Sequence, residues 1–155
     1  VPLLTEWHAD PEVSRYWDDE TFTEEQVRHR LDREAVDAWI VEEDGEPVGY
    51  LQSWWEAGVG STEPVGSEAV GSADAGAGNV PRRGGLDGFL VPAARGRGIM
   101  PTAARLLAGQ LLDEGWEDVT VDPSVWNERA IRAWAKAGFV EVSRDERVVL
   151  MRFRR

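Results

Sequence analysis

Cysteine is absent from the 155 residues. That excludes disulfides, thiolate metal sites and cysteine nucleophiles, and it suits a cytoplasmic protein. Only two histidines are present, and His8 and His29 do not form a zinc pair, so no metal is expected. No apolar run approaches the ~18 residues of a membrane span, and the N-terminus lacks a secretory signal pattern, so no membrane partner is expected. Basic charge is in short supply: 17 Lys and Arg stand against 29 Asp and Glu, a net charge of -12. With a pI near 4.6, the chain repels nucleic acid and anionic lipid and attracts cations. Acidic residues crowd the first half, which fits either plain solubility or a site that gathers a polycationic substrate. Ser53 lacks a Gly-x-Ser-x-Gly elbow, and no glycine loop completes a dinucleotide fingerprint or a P-loop. What remains is 42% hydrophobic and 30% charged, a soluble globular composition of a length that suits one domain spanning 1–155.

The richest local signal is Val91-Pro92-Ala93-Ala94-Arg95-Gly96-Arg97-Gly98-Ile99-Met100-Pro101. It combines a strand end, a tight basic glycine loop and a proline suited to the first helical position. Amide donors of such a loop and of the first helical turn converge on one point and, with the helix dipole, bind phosphate. Arg95 and Arg97 add positive charge there. A phosphate-bearing cofactor is the expectation from these residues alone.

Periodicity and turn signals set the layout. Pro2 to Trp7 is helical, and His8-Ala9-Asp10-Pro11 breaks it. Thr23-Glu24-Glu25-Gln26 fits a capping box, with a helix to about Glu34. Ala38–Glu42 and Pro47–Trp55 are strands joined by an Asp44-Gly45 hairpin turn. Residues Ala57 to Gly85 hold half of the 16 glycines without a period and form a long loop or lid. Leu86–Val91 is a strand. Met100, Ala103, Ala104, Leu107 and Leu111 make the apolar stripe of a helix that Gly115 ends. Val119–Val121 is a short strand, Asn127–Lys136 a helix closed by Ala137-Gly138, and Phe139–Val142 and Val148–Phe153 are strands. This order predicts an α/β (α+β) fold with one mixed sheet flanked by helices, in which the strand–helix–strand unit around Arg95 is parallel and right-handed.

Arg95-Gly96-Arg97-Gly98-Ile99-Met100 resembles the acyl-CoA loop of the GNAT N-acetyltransferases, Gln/Arg-x-x-Gly-x-Gly/Ala, with Met100 where Gly or Ala is usual. Thr120-Val121-Asp122-Pro123-Ser124, continuing through Asn127 to Gly138-Phe139, is similar to that family's second cofactor segment. A narrower resemblance, to the aminoglycoside 6′-N-acetyltransferases, rests on Asp44-Gly45-Glu46-Pro47-Val48-Gly49-Tyr50-Leu51-Gln52-Ser53, on Gly85-Leu86-Asp87 and on Asp122-Pro123-Ser124. Leu4-Thr5-Glu6-Trp7 and Arg15-Tyr16-Trp17 also fit. In this family a strand precedes the first helix. The chain begins in that helix, so the sheet is expected to lack that strand unless the sequence is truncated.

The resemblance implies a GNAT fold and direct transfer of acetyl from acetyl-CoA to an amine of a cationic aminoglycoside, most simply the 6′ amine. The Leu86–Val91 strand would pair with the pantetheine arm, and an N–H near Phe89 or Leu90 would stabilise the oxyanion. Gly96, Arg97, Gly98, Ile99, Met100 and Thr102 would supply donors to the pyrophosphate. Asn127 would bond the pantetheine amides or simply cap its helix. Asp87, a carboxylate among apolar strand residues, would orient the ammonium and take its proton; the alternative is a salt bridge to Arg82 or Arg83. Asp122 would grip a second amine or serve as a turn residue before Pro123. Trp54, Trp55 and Glu56 beside the long loop, and Trp17 with Asp18, are candidate walls for sugar rings. Trp134 stands where relatives often carry a tyrosine proposed as general acid. Indole cannot act as an acid, so Trp134 either borders the cofactor or packs in the core. Another amine, such as a hydroxylysine or a protein N-terminus, and a catalytically weak acyl-CoA sensor are the competing readings. A monomer or a homodimer fits equally.

Overall fold

The computed structural model describes residues 1–17, 20–56 and 82–155. Helix α1 (Pro2–Ala9) is followed by the short α2 (Pro11–Ser14), whose first turn is capped by Asp10 accepting from the Glu12 N–H. Helix α3 (Glu24–Leu31) begins with the expected capping box: Thr23 Oγ1 accepts from the Gln26 N–H while Gln26 Oε1 accepts from the Thr23 N–H. It ends three residues before Glu34, because the chain turns there to enter β1 (Val36–Glu43).

Strands β1 and β2 (Glu46–Trp55) form the expected antiparallel hairpin. Asp44 and Gly45 both have positive φ, 52° and 84°, as the mirror-image hairpin turn requires. Strand β3 (Arg83–Leu90) begins earlier than its composition suggests, so the last three residues of the expected 57–85 loop are strand. The glycines there serve contact rather than flexibility. A Cβ on Gly85 would stand 2.7 Å from the Trp54 ring and 2.8 Å from the Thr120 carbonyl oxygen. Residues 57–81 of that loop assignment lie outside the described residues.

After a 3₁₀ turn at Pro92–Ala94, helix α4 (Ile99–Asp113) starts on Gly98 at φ 78° and stops at Gly115, φ 98°. Pro101 is therefore the third helical residue rather than the first. It still loses nothing, since no N–H in the first turn has an intrahelical partner. Strand β4 (Asp118–Val121), helix α5 (Glu128–Ala137), β5 (Phe139–Arg144) and β6 (Val149–Phe153) complete the order. Among the described residues no strand precedes α1.

The six strands form one sheet in the order β1-β2-β3-β4-β6-β5, antiparallel except between β3 and β4. Its two faces bury different sets. Leu51, Leu86 and Leu90 pack with α4 residues Ala104, Leu107 and Leu111 and with Trp116. Tyr50 and Phe89, on the other face, pack with Leu4, Val13, Phe22 and Val27 of the N-terminal helices.

Candidate active site

The parallel pairing of β3 with β4 is short. It joins Arg83, Gly84 and Gly85 to Asp118, Val119 and Thr120 and then stops. Beyond Gly85 the two strands diverge, while β3 stays paired to β2 through Leu90. The β4-facing edge of residues 86–90 is thus left without a strand partner, and a cavity of about 660 Å³ opens along it. Backbone groups on such an edge hydrogen-bond an extended chain laid beside them. Phe89 and Leu90 are on this wall.

The glycine loop closes one end. Gly96, Gly98, Ile99 and Met100 line the cavity, and Gly98 offers no side-chain cap to the α4 donors. The free N–H groups of that turn and the positive end of α4 therefore face the opening. Three of the residues assigned to this end behave differently. Thr102 donates its N–H to the Gly98 carbonyl at 3.2 Å and its hydroxyl to the same oxygen at 2.9 Å, both within the first turn of α4. Val91 spends its N–H on the Val48 carbonyl. Arg97 turns from the cavity to Glu43, 2.6 Å away.

Arg95 lines the cavity while stapling it. Its Nε donates to the Leu90 carbonyl at 3.1 Å and its Nη2 to the Glu12 carbonyl at 2.7 Å, which ties α2 to the loop. Burial, together with the nearby Arg129 charge, pulls its pKa down. Arg129, on the first turn of α5, joins Arg95 at the Tyr16 ring, their guanidinium carbons 5.0 Å and 5.6 Å from its centroid. Two like charges held across one opening favour an anion between them. Asn127 caps α5, accepting from the Ala130 N–H at 3.2 Å, and also lines the cavity. Trp134 is 7% exposed and edge-on to Phe139; it is a core residue with one border on the cavity.

At the other end stand two carboxylates. Asp87 sits directly across from Gln52 in the β2–β3 register and accepts from Gln52 Nε2 at 3.2 Å. The arginines considered as its partners are engaged elsewhere: Arg83 pairs with Glu117 at 2.6 Å, and Arg82 lies 4.4 Å above the Trp55 ring. Asp122 follows β4 across the opening, and partial burial in the cavity wall pushes its pKa up. Strand alternation separates the tryptophan pair. Trp54 lines the cavity, whereas Trp55 packs edge-on to Trp116 on the opposite face. Glu56 lies past the end of β2, exposed and away from the lining. Trp17 lines the cavity and packs edge-on to Phe89 at 5.5 Å; Asp18 lies outside the described residues.

Several lining residues escaped the sequence reading: Tyr16, Gln52 and the basic set Arg30, Arg33, Arg129 and Arg132. Gln52 had a usable signal, because Tyr50, Gln52 and Trp54 share one face of a strand. The arginines had none, since α3, the turn after it and α5 are brought together only by the fold. Among the described residues the cavity is lined by six basic side chains and two acidic ones. The chain as a whole has a net charge of -12. No cluster suited to a metal ion occurs among the described residues, and no helix there is long and apolar enough to cross a membrane.

Residues 1–145 match the family described as the acetyltransferase (GNAT) domain. The aminoglycoside N(6′)-acetyltransferase type 1 of Klebsiella pneumoniae is 31% identical over 148 residues, covering 90% of this chain and 68% of the relative. That of Serratia marcescens matches to the same extent. The structure of AAC(6′)-Ib in complex with parmomycin and acetyl-CoA superposes with a TM-score of 0.74 at 28% identity, covering 99% of this chain and 87% of that one. Its complex with coenzyme A and kanamycin gives 0.71. A glycine loop at a strand–helix junction, a split strand pair and a matching sequence across nearly the whole chain agree: this protein is a member of the GNAT acetyltransferase family.

Proposed function

We propose that this chain is an acetyl-CoA-dependent aminoglycoside N-acetyltransferase, one domain working in the cytoplasm on the 6′ amine of a polycationic drug. The observation that carries this reading is the polarity of the β3–β4 opening. Uncapped amides and guanidiniums at the glycine-loop end suit the cofactor's phosphates, and Asp87 and Asp122 at the far end suit ammonium groups. The similar AAC(6′)-Ib structures hold acetyl-CoA or coenzyme A together with aminoglycosides, which supports the same pairing here.

Chemistry in this opening needs little from the protein. Asp87 orients the acceptor ammonium and takes its proton, directly or through water, so that a neutral amine faces the thioester. Backbone N–H donors beside Phe89 or Leu90 stabilise the negative charge that develops on the carbonyl oxygen. Asp122 holds a second ammonium and fixes which amine reaches Asp87. The leaving thiol, with a pKa of ~8.5, departs readily and takes its proton from water. Trp134 supplies shape to the cofactor wall and no proton. The enzyme acts on both substrates together, without a covalent enzyme intermediate.

Arg30 on α3 and Arg33 in the turn after it, both on the cavity wall, favour a second acceptor class, an amine that also carries a carboxylate, such as a hydroxylysine. Thiol release from acetyl-CoA separates the two. Turnover with kanamycin-like amines, with the acetyl group found on the 6′ nitrogen by NMR, supports the first reading. Turnover confined to carboxylate-bearing amines overturns it.

A further inference from the structure

We infer that Gln52 is a positioning residue for Asp87, and that Tyr50 locks Gln52 in the orientation this requires. The inference rests on the reading of Asp87 as the base and adds to it the device that holds the base. Tyr50 and Gln52 are two residues apart on β2, on the same face, and Gln52 is directly opposed to Asp87 on β3. The Tyr50 hydroxyl donates to Gln52 Oε1 at 2.9 Å, and Gln52 Nε2 donates to Asp87 Oδ2 at 3.2 Å.

Chemistry fixes the direction of this chain. An ionised carboxylate only accepts, so the amide must present its nitrogen to Asp87 and its oxygen to Tyr50. The opposite amide orientation would set oxygen against oxygen at Asp87. Tyr50 can serve only while it keeps its proton. It is 4% exposed, and burial, reinforced by the Asp87 charge, pushes its pKa up to about 12. It is therefore a neutral donor across the whole working range. Each bond in the chain stabilises the charged form of Asp87 and limits its rotation, which is what a base aimed at one ammonium needs.

Other groups also act on this carboxylate. Arg30 faces the site from α3, Arg33 from the turn between α3 and β1, Tyr50 from β2 and Asp122 from the end of β4. His8 packs beneath Phe89 from α1. Removing the Gln52 donor leaves all of them in place, so the change it produces is its own.

The test compares wild type with Gln52→Leu, Gln52→Glu and Tyr50→Phe in steady-state kinetics across pH, with thermal melting of each variant. Loss of a hydrogen bond to a charged group is expected to lower kcat about 10- to 100-fold in Gln52→Leu. The acid limb of its kcat/KM profile should move up by roughly half to one pH unit, because the charged form of Asp87 loses support. Gln52→Glu keeps the volume and places like charge against Asp87, so it should move the limb further. Tyr50→Phe should move it less, in the same direction, since the amide loses only its orientation. Acetyl-CoA KM should stay within about twofold throughout, as a positioning role predicts. Melting temperatures that fall while the acid limb stays fixed would overturn the inference, as would a rise in acceptor KM alone. Asp87→Asn keeps the two readings apart. Lost turnover there with unshifted Gln52 variants rejects only the positioning role, whereas retained turnover rejects the base and with it the role of Gln52.

Discussion

A carboxylate whose pKa is raised in the folded protein carries a stability cost when ionised, and Asp122 is such a residue. Burial favours its neutral form, so the folded state binds the proton more tightly than the unfolded chain does. Stability therefore falls as pH rises from the ordinary carboxylate range through the raised folded value. An ammonium from a bound acceptor reverses this by supporting the charge. Asp122→Asn should accordingly melt at or above the wild-type temperature at neutral pH, and the difference should vanish below about pH 3.8, where both side chains are neutral. The same variant should raise the acceptor KM. Melting curves between pH 3 and 8, paired with kinetics, check both halves, and a variant less stable at neutral pH would contradict the desolvation argument. Arg129 makes the opposite case at the basic end. Arg129→Gln should weaken acetyl-CoA binding roughly fivefold, the loss of one partly exposed charge contact worth about 1 kcal/mol. Calorimetric titration reads it directly.

Elements set where these residues stand, and the glycines of β3 set how closely its neighbours approach. A methyl group on Gly85 meets the Trp54 ring and the Thr120 carbonyl at once, and backbone cannot move aside cheaply. Gly85→Ala should cost about 1–3 kcal/mol of stability and widen the pairing that precedes the β3–β4 opening. Urea unfolding, with acetyl-CoA affinity measured beside it, tests both effects. This strand also marks the limit of what could be read from sequence. The capping box at Thr23, the Asp44-Gly45 turn, the Gly138 helix boundary and the parallel unit around Arg95 were legible because each is written in a few adjacent residues. Arg83–Gly85 was not, since glycine composition signals a loop unless the neighbours that demand it are known. At the glycine loop Arg97 is paired with Glu43, while Arg129, some thirty positions away in sequence, stands beside Arg95 at the Tyr16 ring. Register decided Trp54 over Trp55 and brought Gln52 to Asp87, and register depends on the partner strand.

Across the whole molecule charge is divided sharply. An acidic exterior surrounds a cavity whose lining is mostly basic among the described residues, with its two carboxylates at the far end from the glycine loop. Such a field draws a polyanion into the opening and a polycation toward the surface, and both attractions are screened by salt. Raising ionic strength should therefore raise the KM of acetyl-CoA and of the aminoglycoside together, while kcat, set inside the cavity, changes little. The most direct measurement of the central claim is a pair of values for Asp87→Asn: the acetyl-CoA dissociation constant by calorimetry and the single-turnover rate with kanamycin. Removal of a base that touches only the acceptor leaves the dissociation constant within about twofold and cuts the rate by about 10²- to 10⁴-fold. An unchanged rate, or affinity and rate lost in equal measure, would contradict it.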